Sequence, residues 1–171
     1  MPTDTGPRAD TDVVDVTAAE PAEVDAIAEL WVELATNQRA HGSRLLAEAN
    51  RPFVADLLSR YAADGRLLVA RTDAAREADG TVGFVMFRLE VGGYETDCVR
   101  GLVDNLYVVA DHRSDGVGSA LLGAAERRLH ERGAAVISLE ALAANSGARR
   151  FYRRHGYEPH RVTFEKPLGP P

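Results

Sequence analysis

The passage from Leu102 to Ser119 reads LVDNLYVVADHRSDGVGS, an apolar β-prone run, then a polar spacer bearing two glycines, then the start of a helical pattern. A strand that passes through such a loop straight into a helix ties the chain to a sheet with a helix crossing over it. Gly116 and Gly118 take Cβ atoms away from the helix entrance, so backbone N–H groups there can approach a ligand closely. Those N–H groups have no partner within the helix, and the helix dipole favours an anion beside them. The loop is therefore a candidate cradle for a phosphorylated molecule.

Periodicity orders the rest of the chain. Residues 1–12 are polar, with Pro and Gly, and read as a flexible tail ahead of one domain spanning 13–168. A short strand at Val13–Thr17 precedes a helix in which Val24, Ile27, Ala28, Leu30, Trp31 and Leu34 recur at helical spacing to about Arg39. His41-Gly42-Ser43 interrupts it. A second helix is expected from Pro52 to Ala63, with Phe53, Leu57, Leu58 and Tyr61 on one face and Gly65 as its stop. Strands follow at Leu67–Arg71, Thr81–Val91 and Cys98–Val109, with turns through the Ala/Asp/Glu stretch to Gly80 and at Gly92-Gly93.

The helix opened by Gly116 places Val117, Leu121, Ala124, Ala125 and Leu129 on one stripe and stops at Gly133. Ala134–Leu142 reads as a strand buried on both faces, Asn145–His155 as a helix and Arg161–Leu168 as a closing strand. The expectation is an α/β (α+β) fold: a single-domain, mixed but mostly antiparallel twisted sheet of six to seven strands, with helices on both faces.

Composition excludes several classes. Cys98 is the single cysteine, so no intrachain disulfide can form; a reducing, cytoplasmic setting is the expectation, with Cys98 a buried inert thiol. No apolar stretch is long enough to span a bilayer, so no membrane partner is expected. The histidines and Cys98 lack metal-ligand spacing, and no metal is expected. Residues 1–99 carry a net charge of −9 and residues 100–171 a net of +3, together the −6 of the whole chain. A basic half holding the glycine loop suits an anionic cofactor, and an acidic half suits a cationic substrate, although solvated helix surfaces give the same totals. Arginines do not interleave with aromatics on one element, so nucleic acid is not an expected partner.

Three phosphate-binding patterns compete for the loop. A P-loop needs a lysine after its last glycine, and the only lysine is Lys166. A dinucleotide fingerprint fits Gly116 and Gly118, with Glu140 as its acid, but Leu121 holds the third glycine position. About thirty residues follow Glu140, too few for further βαβ units. The third pattern is Asn-Leu-Tyr-Val, a polar spacer, Arg-x-x-Gly-x-Gly and Ala-Leu-Leu, followed in register by Asn145, Ala148, Phe151-Tyr152 and Gly156-Tyr157. Together these resemble the GNAT superfamily of acyl-CoA N-acyltransferases, as does the element order from about Val13 to Leu168. One departure stands out: the family often has glycine at Ser114, and acidic Asp115 follows it.

The resemblance implies the acyl-CoA N-acyltransferase fold, with acetyl-CoA as co-substrate and direct acyl transfer to an amine in a ternary complex. By that likeness, the backbone of Arg113, Ser114, Asp115, Gly116, Val117, Gly118 and Ser119 holds the pyrophosphate. The pantetheine arm pairs with Leu106, Tyr107 and Val108 where two parallel strands splay, and Asn145 and Phe151 complete the cofactor contacts. Tyr152 is implied as the acid that protonates the thiolate. Asp104 is the candidate base or else an ion-pair member, with Glu33 and Glu140 as alternatives. Strict alternation would put Asp104, Leu106 and Val108 on one face and Asn105 and Tyr107 on the other.

His41, Arg44 and Asn105 are the implied acceptor contacts, while Trp31 reads as core. Asn145 is also a good helix N-cap on residue type alone. The acceptor is expected to be a small-molecule amine or a protein amino group, and the family's habits imply a homodimer. A non-catalytic acyl-CoA sensor and a partner-binding module on the same fold are the alternative readings.

Overall fold

The computed structural model describes residues 14–72, 80–92 and 94–169 of the 171-residue chain. The expected tail, Val13, most of the turn before Gly80, and Gly93 lie outside the described residues. Five strands form one sheet in chain order: β1 (Asp15–Ala18), β2 (Leu67–Arg71), β3 (Thr81–Leu89), β4 (Arg100–Val108) and β5 (Val136–Leu139). The first three pairings are antiparallel and the last, β4 with β5, is parallel. Helices α1 (Val24–Arg39) and α2 (Ala47–Ala63) join β1 to β2, α3 (Val117–Glu131) crosses from β4 to β5, and α4 (Ser146–Arg154) follows β5.

Both faces of the sheet are covered, as expected of a mixed sheet. Side chains alternate across a strand, so Leu67, Val69, Phe84 and Met86 pack with α1 and α2, through Ile27, Trp31 and Leu58 among others. Leu68, Ala70, Val85 and Phe87 meet Leu121, Ala125 and Leu129 of α3 on the opposite face. The predicted stripe of α3 is buried throughout, and Gly133 ends the passage at φ +92°. Burial of each large apolar side chain, such as Leu121 or Leu129, contributes about 1.5–3 kcal/mol relative to its exposure.

Four expectations are corrected. Among the described residues the sheet has five strands, because Arg161–Leu168 forms no strand and leaves Val162, Phe164 and Leu168 exposed. Strand propensity needs a ladder partner to be realised, and Pro167 removes a backbone donor from this segment. β5 covers four residues rather than Ala134–Leu142, and Val136 is 46% exposed because β5 is an edge strand, not a doubly covered one.

α2 begins at Ala47 rather than Pro52; proline in its second turn removes one N–H without stopping the helix, and Phe53 faces solvent while Val54, Leu58 and Tyr61 are buried. Cys98 precedes β4 instead of opening it, and it is half-buried rather than buried.

Candidate active site

β4 pairs with β5 only from Arg100 to Val103, opposite Val136 to Leu139, yet it continues to Val108. The two parallel strands thus part company, and among the described residues the far half of β4 has no strand on its β5 side. The Val109 N–H donates to the Val82 carbonyl at 3.0 Å, which fixes which way the peptide groups face here. Successive peptides in a strand point to opposite edges, so the N–H and C=O of Leu106 and Val108 turn to the open side. Arg113 reaches that edge, its Nε donating to the Val108 carbonyl at 3.0 Å while its guanidinium lies 5.6 Å from the centre of the Tyr107 ring.

The loop beyond bends twice through the left-handed region, at Ser114 (φ +74°) and at Gly116 (φ +83°). Glycine tolerates that region readily and serine adopts it at a cost, which accounts for glycine being the common residue at the Ser114 position in the resembled family. At this turn the Ala120 N–H donates to the Gly116 carbonyl at 2.9 Å, opening the bonding of α3. The N–H groups of Val117, Gly118 and Ser119 precede it and fall among the donors that a helix cannot satisfy internally. Ser114, Asp115, Gly116 and Ser119 are exposed, so an anion can reach this entrance.

Gly118 is where three elements meet. A Cβ placed on it would stand 3.4 Å from the Phe151 ring of α4 and 3.8 Å from Val108 Cγ2 of β4. Tyr152 lies edge-on to Phe151 at 5.3 Å and to Tyr157 at 5.9 Å, and burial pushes its phenol up to about 12. Tyr157 donates to Glu126 at 2.9 Å. Asn145 caps α4 as expected, its Oδ1 accepting the Ala148 N–H at 3.0 Å.

Strict alternation fails in the middle of β4. Met86 pairs with Asn105 and Phe87 with Val103, so Asp104 is an extra residue, a β-bulge. The correction is that Asp104 does not share a face with Leu106 and Val108, which pack toward α3. It turns instead toward α2, accepting the Tyr61 hydroxyl at 2.9 Å and Arg88 Nε at 3.2 Å. Asn105 accepts Trp31 Nε1 at 3.2 Å, and Trp31 is core as expected. The Tyr107 hydroxyl donates to Glu33 at 2.9 Å and accepts from Asn37 at 3.4 Å. Burial raises the Tyr107 phenol and, with help from Asp104, pushes that of Tyr61 up to about 12.

The far end of α1 therefore overhangs the open half of β4, and the α1–α2 loop with His41 and Arg44 follows directly. Arg44 pairs with Glu165 of the C-terminal segment at 3.3 Å, and Glu140 lies exposed just beyond β5.

Three partners escaped the sequence: Arg88 and Tyr61, whose convergence on Asp104 depends on the bulge, and His155. The His155 ring stacks on Phe151, 4.4 Å between centroids, and its Nε2 lies 3.0 Å from Ser119 Oγ. The spacing of four from Phe151 was the only available hint. Among the described residues no cluster of ligating side chains could hold a metal ion, and no helix is long and apolar enough to cross a membrane.

Comparison with known proteins places this architecture. Residues 63–159 match the acetyltransferase (GNAT) domain model, a span that includes β4, the loop, α3 and α4. A GCN5-related N-acetyltransferase from Ralstonia eutropha JMP134 superposes with a TM-score of 0.69 at 22% identity, covering 92% of this chain and 100% of that one. A ribosomal-protein-alanine N-acetyltransferase from Brucella melitensis biovar Abortus 2308 gives 0.62 at 23% identity, covering 91% and 99%. A transcriptional regulator from Bacillus halodurans C-125 gives 0.68 at 17%, covering 91% and 100%. No curated protein matches the sequence. The splayed strands, the glycine loop and the matched domain carry one conclusion: the chain belongs to the GNAT acetyltransferase family and has its acyltransferase fold.

Proposed function

We propose that the chain is an acetyl-CoA-dependent N-acetyltransferase that joins acetyl-CoA and an amine in a ternary complex. The observation that carries this reading is the open edge of β4 running into the exposed N–H groups at the start of α3. That geometry fits a molecule with a diphosphate at one end and amides along an arm. Backbone N–H groups of Arg113 to Ser119 take the diphosphate. The edge at Leu106, Tyr107 and Val108 pairs with the arm as an added strand would, flanked by Phe151 and Asn145.

Acetyl-CoA supplies the thioester. The Val108 N–H, facing the open edge, is the donor for oxyanion charge on the attacked carbonyl. An alkylammonium has an ordinary pKa near 10 and must shed a proton before attacking. Asp104 serves as its acceptor, and because Tyr61 and Arg88 hold its oxygens, the proton travels through water. Glu33, oriented by Tyr107, is the alternative carboxylate. His41, Arg44 and Asn105 border the acceptor.

Tyr152 protonates the departing thiolate; burial keeps its phenol in the donor form well above neutral pH. The acceptor is a small-molecule amine or a protein amino group. The same reading has two copies associate in the cytoplasm through the open edge of β5 and the exposed apolar C-terminal segment.

The test is a screen of amines for release of free CoA thiol, repeated with Tyr152→Phe. Turnover with at least one amine, lost in that variant while CoA affinity is kept, supports an enzyme. The likeness to a protein named as a transcriptional regulator favours a second reading, a non-catalytic acyl-CoA sensor. CoA binding without turnover on any amine would establish that one, and absence of CoA binding would leave a partner-binding module.

A further inference from the structure

We propose that His155 sets the direction of the Ser119 hydroxyl, so that an anion bound at the α3 entrance is taken up together with a proton on the imidazole. The inference rests on the cofactor reading above. His155 Nδ1 lies 2.9 Å from the Phe151 carbonyl. A carbonyl only accepts, so Nδ1 must carry a hydrogen. In the neutral ring Nε2 is then a bare acceptor. The only hydrogen available for the 3.0 Å contact between Nε2 and Ser119 Oγ is the serine's own, so Ser119 donates to His155.

That arrangement is poor for an anion. Ser119 stands in the first turn of α3, and with its O–H turned to the ring it shows lone pairs to the entrance. Protonating the ring reverses the bond. Nε2 then donates to Ser119 Oγ, and the freed hydroxyl can donate to a phosphate oxygen. Every donor is matched to an acceptor in a line from the Phe151 carbonyl through His155 and Ser119 to the anion. The proton comes from solvent and forms the Nε2–H bond; no bond between heavy atoms changes.

The surroundings decide when the proton stays. On α4 the nearest charged neighbours in sequence are Arg153 and Arg154, and the loop before α3 brings Arg113 and Asp115. Among the described residues none of these forms an ion pair or hydrogen bond with the ring. An anion at the α3 entrance supplies the opposite charge that favours the protonated ring. His155 is thus a positioning residue, and its ring is held by stacking on Phe151, which also lines Gly118.

The experiment follows the imidazole C–H signals of the full chain by NMR from pH 5 to 9, free and saturated with CoA, with His155→Gln used to assign the signal. The His155 midpoint should rise by about one pH unit with CoA, as a nearby opposite charge produces. The rise should be smaller in Ser119→Ala, which keeps the anion's charge but loses the hydroxyl link, and absent with pantetheine, which lacks the diphosphate. A midpoint that stays or falls while CoA is bound, or an undiminished rise in Ser119→Ala, overturns this inference alone. Failure of CoA to bind overturns the cofactor reading and this inference together.

Discussion

Gly83→Ala probes how tightly β3 backs the open half of β4. Gly83 stands opposite Val108, and a Cβ on it would lie 2.6 Å from the Tyr107 carbonyl oxygen, 3.1 Å from Leu121 Cδ1 and 3.4 Å from Val108 Cα. Ordinary carbon–oxygen contacts sit at roughly 3.3–3.6 Å, so roughly 0.7 Å must be found by moving backbone. Leu121 is fully buried and cannot swing aside. Overpacking of this kind costs about 1–3 kcal/mol, and the stiffer unfolded chain returns about 0.4–1 kcal/mol. The net loss of about 1–2 kcal/mol lowers Tm by about 2–8 °C in a domain of this size.

Gly123→Ala is the control, because its Cβ meets only Arg127 Nη1 at 3.6 Å within α3. Removing a mid-helix glycine there should gain about 0.5–1 kcal/mol. Differential scanning calorimetry on the two variants reads both signs. If Gly83→Ala melts at or above the wild-type temperature, the close approach of β3 to β4 is not as described.

Other outcomes follow from single contacts. Tyr152→Phe should cut turnover by about 10²–10⁴-fold with CoA affinity and Tm nearly unchanged, measured by thiol release and calorimetry. The Tyr152 phenol is raised above its unfolded value, so the folded state binds more protons between pH 10 and about 12. Stability should therefore fall as pH rises through that window, and less steeply in Tyr152→Phe; equal slopes in denaturant titrations would refute the assignment. Asn145→Ala removes the acceptor for the Ala148 N–H and should cost about 0.5–2 kcal/mol by urea melting.

What the sequence shows well is whatever repeats. α1 and α3 were legible because apolar residues at helical spacing cover a whole stripe, and the loop was legible because two glycines precede that stripe. The cap at Asn145 was readable from residue type. The bulge at Asp104 was not, because one inserted residue leaves no mark on composition and only the pairing of Met86 with Asn105 reveals it. Tyr61 and Arg88 are 43 and 16 positions from the aspartate they hold, so their convergence belongs to tertiary structure. Arg161–Leu168 has the alternation of a strand yet pairs with no neighbour, since propensity reports what a segment tolerates rather than what it finds.

A crystal grown with CoA shows directly what occupies the turn between Val108 and α3. Diphosphate oxygens are expected within about 2.7–3.2 Å of the N–H groups between Gly116 and Ser119, with the arm lying along Leu106 to Val108. Diphosphate seated elsewhere on the protein, with that turn bare, would contradict this placement.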